Sequence, residues 1–198
     1  MSEAADRDTE GGDASASSPT PPHRLVAGTA AIDDLDAFLA SLDEVADATG
    51  AVVQAFDASL VVSATHLGEA TRLAARSIGR GEAVARDPGV EIMLYAAGSR
   101  QIDRALTLGV EEGRSRVVVL VANFGAVRGA DRTDADLDAA AESVADLLDS
   151  PATGAFEPAF DRERVTAFYD VGEREREATA GGVADIVRER VALLDVEK

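Results

Sequence analysis

Val117-Val118-Val119-Leu120-Val121, inside the span Ser115 to Phe124, is the stretch that most limits what this 198-residue chain can become. It is β-branched and nearly apolar on both faces, so it reads as a buried strand with cover on each side. Candidate covers lie around it. Ile32, Leu35, Phe38, Leu39, Leu42 and Val45 recur at helical spacing, with Asp33 and Asp34 at the positive end and Gly50 as the stop. A second helix is predicted from about Thr65 to Gly79, with Leu67, Ala70, Ala74 and Ile78 inward. A third runs from Asp131 to Asp149, with Leu137, Val144, Leu147 and Leu148 inward.

Shorter β-compatible runs supply the remaining strands. His23 to Thr29 holds Leu25-Val26-Ala27, while Ala51 to Phe56 and Leu60 to Ser63 form either a hairpin or one bent strand. Gly154 to Ala159 connects to two short helices, Arg162 to Val171 and Glu173 to Thr179, and to a longer one from Gly182 to Asp195. The fold class expected is α/β (α+β): a single domain over residues 23–198, with a small mixed β-sheet covered by helices and a helical C-terminal third. Met1 to Pro22 is rich in Ser, Ala, Gly, Asp and Pro without an apolar period, and is expected to be a disordered acidic tail.

Between the second helix and the buried strand lies VEIMLYAAGSRQIDRALTLG, Val90 to Gly109. Glu91 to Ala97 is apolar and of strand length; it meets Gly98-Ser99, after which Ile102, Ala105, Leu106 and Gly109 fall at helical spacing. Ser99 is placed to cap that helix and Gly109 to end it. A strand, a turn and a helix are therefore expected to meet at Ser99-Arg100-Gln101. Unpaired N–H groups at such a junction attract anions, and Arg100, Gln101 and Arg104 can grip a phosphate or a base edge. The competing interpretation is that Arg100 pairs with Asp103 on a solvated face.

Charge sharpens the choice. The chain carries 37 acidic against 19 basic residues, a formal net charge of −18. Yet His66 to Arg104 holds six arginines (Arg72, Arg76, Arg80, Arg86, Arg100, Arg104) against five acids. Arg72, Arg76 and Arg80 repeat every four residues and share one helix face. Such an island suits a surface that meets phosphate, unless neighbouring acids pair with it.

Several chemistries lack their residues. There is no Gly-Lys-Ser/Thr phosphate loop, no Cys for thiolate or closed zinc chemistry, and the two histidines, His23 and His66, cannot make a multi-histidine metal site. No metal and no cofactor are expected. His66 beside Ser63 and Thr65 is either a nucleophile pair or a helix-start cap. No apolar run reaches the roughly 20 residues of a membrane span, and no signal pattern opens the chain, so a cytoplasmic protein without a membrane partner is expected.

EIMLYAAGSRQIDRALTLGV closely resembles the signature of the small regulatory subunit of the KEOPS complex, the PRPK-binding protein family. AVVQAFDASLVVSATHL, GEAVARDPGVE and VALLDVEK extend the likeness in colinear order over roughly His23 to Lys198. The resemblance implies a non-catalytic subunit that binds and stimulates the kinase-like ATPase subunit, contacts the rest of KEOPS indirectly, and holds the single-stranded CCA tail of tRNA. Threonylcarbamoyl is then placed on the adenosine beside the anticodon. Carried over, the motif falls on Gly98, Arg100, Gln101, Ile102 and Arg104; His66, Arg86 and Tyr95 hold family-like positions, and Arg76 joins the set from the arginine face. The helix ending in VALLDVEK is a candidate kinase-binding patch, or simply core. The acidic tail is no part of the family pattern. The many acids and the single lysine, Lys198, resemble the proteome of a salt-loving archaeon. A different class of function, an α/β domain sensing an anionic metabolite at the Arg100-Gln101 turn, would need a closed pocket beside that turn.

Overall fold

The structure is a computed structural model and describes residues 19–152, 156 and 159–194. Among these residues the order is β1 (His23–Ile32), α1 (Leu35–Thr49), β2 (Val52–Asp57), α2 (Ala64–Arg80), α3 (Pro88–Ala96) and α4 (Ile102–Leu106). Then follow β3 (Gly113–Ala122), α5 (Leu137–Asp146), β4 (Ser150–Pro151), α6 (Arg162–Phe168), α7 (Glu173–Ala178) and α8 (Val183–Leu193). No helix among them is long and apolar enough to cross a membrane. The expected tail lies outside the described residues except for Pro19 to Pro22.

The sheet order is β2-β3-β1-β4, and every pairing is antiparallel, from His23 opposite Ala122 to Ile32 opposite Gly113, and from Val52 opposite Ala122 to Asp57 opposite Val117. The small sheet was expected to be mixed, with its strand order open. β1 and β2 do run in the same direction, but β3 inserts between them and opposes both.

β3 explains its own composition. Val118, Leu120 and Ala122 point into a core built with α2, α3, α6 and α8. Val117, Val119 and Val121 point into a second core built with α1 and α5. Helices therefore cover both faces of an α/β sandwich, and a strand with period-2 side chains must be apolar throughout. Asp34 caps α1 by accepting the Ala37 amide, and Gly50 ends it at a φ of 73°.

Two sequence expectations are corrected. Leu60 to Ser63 is not a strand: Asp57 turns the chain by accepting the Ser59 amide, and Ser63 already caps α2 through the His66 amide. Glu91 to Ala97 is the body of a helix, not a strand. Asp87 accepts the Val90 amide and Pro88 opens the helix, a start signal that sits before the apolar run. α3 is buried nearly all round, so its sequence has no polar face to reveal a period of 3.6. The one acid inside it, Glu91, is buried and accepts the Val84 and Ala85 amides at 3.0 and 2.9 Å. That carboxylate ties the loop between α2 and α3 to the core.

Candidate functional site at the end of α3

The motif turn is a helix stop followed at once by a helix start. Gly98 has a φ of 57°, the left-handed conformation that an L side chain adopts only under strain. Gly98 N–H donates to the Tyr95 carbonyl and Ser99 N–H to the Leu94 carbonyl, the paired bonds of a Schellman stop. A Cβ on Gly98 would also lie 3.4 Å from the Cβ of Arg190, so α8 packs directly on the turn. Ser99 does not cap α4 as expected. Its hydroxyl accepts the Gln101 amide, which stiffens the turn, and Gln101 holds the cap position without a side-chain bond. Gly109 lies beyond α4, which ends at Leu106.

Three helices end around this turn, and each has a terminal carbonyl taken up by a side chain. The carbonyl of Ala96, the last residue of α3, accepts from the Tyr169 hydroxyl at 2.9 Å and lies 2.9 Å from His66 Nε2. Arg100 donates to the carbonyl of Leu194, the C-cap of α8, at 3.1 Å. Arg104 donates to the carbonyl of Phe168, the last residue of α6, at 2.7 Å, and its guanidinium lies 5.6 Å above the Phe168 ring. Cations suit the negative ends of helices, so the motif arginines neutralise what would otherwise be a cluster of uncapped carbonyls. Arg100 does not pair with Asp103 as the alternative had it. A guanidinium carries five N–H donors, and these bonds leave others for a ligand.

The predicted residues separate accordingly. Gly98, Arg100, Gln101, Ile102 and Arg104 come together at the turn; Gln101 is exposed and Ile102 is 43% exposed. His66 is corrected: its ring is fully buried beneath the turn, so it positions Ala96 and does not meet a ligand. With Ser63 engaged as a cap and the His66 ring turned inward, the nucleophile-pair interpretation has no geometry behind it. Tyr95 is buried too. Arg86 is exposed in the loop before α3. Arg76 sits near the far end of α2, about 15 Å along the helix from His66 at 1.5 Å per residue. Arg72 is held by Glu69 at 2.5 and 2.9 Å.

Burial sets the protonation of the clamp. It lowers the His66 pKa to about 4, against the opposing effect of the Ala96 carbonyl, and it pushes the Tyr169 hydroxyl well up. His66 is therefore neutral near pH 7, with Nε2–H donating to Ala96. Sequence reasoning missed Tyr169, Phe168 and Arg190, because nothing in their local pattern signals a partner some 60–100 positions away.

Two of the roomiest clefts lie away from the turn. One, of about 530 Å³, opens between α1 and the edge strand β2 and includes Leu39, Val53 and Met93. The other, of about 560 Å³, lies beside Arg76, Arg80 and Arg128. Neither provides the closed pocket at Arg100-Gln101 that a metabolite sensor needs. The proposed kinase patch on α8 is largely core: Val183, Ile186, Val187, Val191 and Leu194 are buried, and Leu193 is 46% exposed. No group of three or more His, Asp or Glu able to hold a metal occurs among the described residues.

No curated protein matches the chain significantly. The family model described as kinase binding protein CGI-121 matches residues 37–195, which run from within α1 through α8 and include the whole motif turn, and the chain belongs to that family.

Proposed function

We propose that this chain is the regulatory, non-catalytic subunit of a cytoplasmic KEOPS-type tRNA-modification complex. It binds and stimulates the kinase-like ATPase subunit, and it recruits tRNA through the CCA tail for threonylcarbamoyladenosine formation. Family membership supports the kinase partner. For tRNA, the observation that carries the reading is the turn itself: Gln101 and Ile102 are presented outward on a glycine-locked stop, between two arginines fixed at helix ends. A single-stranded tail offers phosphates to such guanidiniums, base edges to the amide and base faces to the apolar side chain.

The test is binding of full-length tRNA and of tRNA lacking its CCA end, at matched salt. Loss of the tail is expected to weaken binding at least tenfold, and Arg100→Ala by about tenfold, the worth of one charge-assisted hydrogen bond. Arg100 also holds Leu194, so the melting temperature must be followed in parallel. Gln101→Ala supplies the control, since the Gln101 side chain is exposed and makes no hydrogen bond among the described residues. Equal affinity for both tRNAs would sink the recruiting role and leave kinase binding as the function.

A further inference from the structure

The free edge of β2 lies where the two helical layers over the sheet part, and alternation along the strand fixes which of its groups face outward. Ala58 N–H donates to the Arg116 carbonyl of β3, whereas Asp57 N–H points away from β3 and donates to the Leu108 carbonyl. Residues of a strand alternate in this respect, so Val53 and Ala55 share the orientation of Asp57 and direct their N–H groups off the sheet. Neither N–H has a hydrogen-bond partner among the described residues, although Ala55 is 2% exposed. A buried amide without an acceptor is rare, and it marks a place where one is due. The Ala55 carbonyl is held at 3.2 Å by the side-chain amide of Gln54, which stands where the N–H of a neighbouring strand would stand.

These groups border the cleft of about 530 Å³. Leu39 and Leu42 of α1 form one wall; Val90 and Met93 of α3 and Leu106 of α4 form the other. Leu42 belongs to the core on one face of the sheet and Met93 to the core on the other, so the cleft continues both. An added strand would therefore set successive side chains alternately against α1 and α3. The Asp57–Leu108 contact closes one end of the edge, which leaves room for about four residues, or some 13 Å at 3.2–3.4 Å per residue.

Charge selects the occupant. α1 carries Asp36, Asp43, Glu44 and Asp47 and no basic residue, and Asp43 stands on the cleft wall without an ion-pair partner among the described residues. At the rim Asp87 holds Arg132 at 3.3 Å. An acidic wall repels phosphates, and a second copy of the chain would bring the same helix and a further net charge of −18. A basic partner meets no such obstacle.

We propose that the β2 edge accepts an extended segment of another protein as a fifth strand, about four residues apolar on both faces and flanked by Lys or Arg. Main-chain bonds to Val53 and Ala55 supply the pairing, and the two apolar walls and Asp43 supply the selection. The proposal is independent of the tRNA-recruiting role.

The probe is the acetylated, amidated peptide Lys-Lys-Val-Leu-Val-Leu-Lys-Lys, added to the full chain at about 0.15 M salt, where charges interact over about 8 Å. It is expected to bind below about 1 mM and to slow hydrogen exchange at least tenfold at the Val53 and Ala55 amides, while Gln54 and Phe56, already in the ladder with β3, stay unchanged. Replacing its four lysines by glutamates should weaken binding at least tenfold, as should N-methylation of its four apolar residues. Leu39→Gln and Leu106→Gln, at side chains 39% and 52% exposed, should each weaken it at least fivefold with the melting temperature preserved. Binding without slower exchange at Val53 and Ala55 would overturn strand pairing and reduce the cleft to an apolar sticking surface. No binding up to about 1 mM, or equal binding of the glutamate peptide, would overturn the proposal outright. A native chain that sediments as a dimer and becomes monomeric on Leu39→Gln would also overturn it, by making a second copy the occupant.

Discussion

Tyr169→Ala is expected to destabilise the folded chain by about 3–5 kcal/mol, the cost of emptying a fully buried aromatic site. Tyr169 is 1% exposed and stacks edge-on against Phe168 at 4.7 Å between ring centres. Its hydroxyl also helps close the end of α3. Tyr169→Phe separates the two contributions: the ring is kept, the Ala96 carbonyl retains His66, and the loss should be about 1 kcal/mol. For a domain of this size each kcal/mol moves the melting temperature by about 2–4 °C, so calorimetry distinguishes the variants readily. The measurements belong at high salt, where the self-repulsion of a chain with net charge −18 is screened. A cost below about 2 kcal/mol for the alanine variant would show that α6 and α8 hold the turn without this anchor.

Acid should undo the same clamp from its other side. The unfolded chain binds a proton on His66 near pH 6.5, whereas the folded chain resists it down to about pH 4. Stability from this group is therefore complete above pH 6.5 and is lost as pH falls from 6.5 towards 4. Between pH 7.5 and 4.5 the loss amounts to roughly 2–3 kcal/mol, at about 1.4 kcal/mol per unit. The physical reason is visible in the geometry: Nδ1 is buried with no hydrogen-bond partner among the described residues, so a second ring proton has nowhere to go. Carboxylates titrate in the same range, and the informative quantity is the difference between the native chain and His66→Gln, whose amide can still donate to Ala96. That difference should shift against the native chain by the stated amount on acidification. A difference independent of pH would mean that the ring gains access to solvent or to another acceptor.

The covers of β3 were legible in the sequence because each is amphipathic: α1, α2 and α5 alternate apolar and charged residues at a period of 3.6, and Gly50 marks an end. α3 was not, since it is wrapped on all sides and its seven apolar positions fit a strand equally well. The Asp87-Pro88 pair was the signal that favours a helix. At the site, the family resemblance put Gly98, Arg100, Gln101, Ile102 and Arg104 in one set, and the structure holds them at one turn, since neighbours in a turn remain neighbours in space. Arg76, added to that set from the arginine face, is carried by α2 to the opposite end of the α2–α3 pair. What spacing could not supply was the occupation of Arg100 and Arg104 by Leu194 and Phe168, because those contacts join positions 94 and 64 residues apart.

The register of β1 against β3 has a consequence for how the chain is made. His23 pairs with Ala122 and Ile32 with Gly113, so the longest ladder of the sheet joins strands separated by some 80 residues or more, and β2 has β3 as its only sheet neighbour among the described residues. On the ribosome, β1 and β2 emerge long before the strand that holds them both. At about 5–20 residues per second, the first half of the chain waits several seconds with its apolar strand faces unpaired. Loop closure over such separations is slow as well, which places folding among the millisecond-to-second topologies and not the microsecond ones. During that interval the dense acidic charge that burdens the finished fold at low salt keeps nascent chains apart.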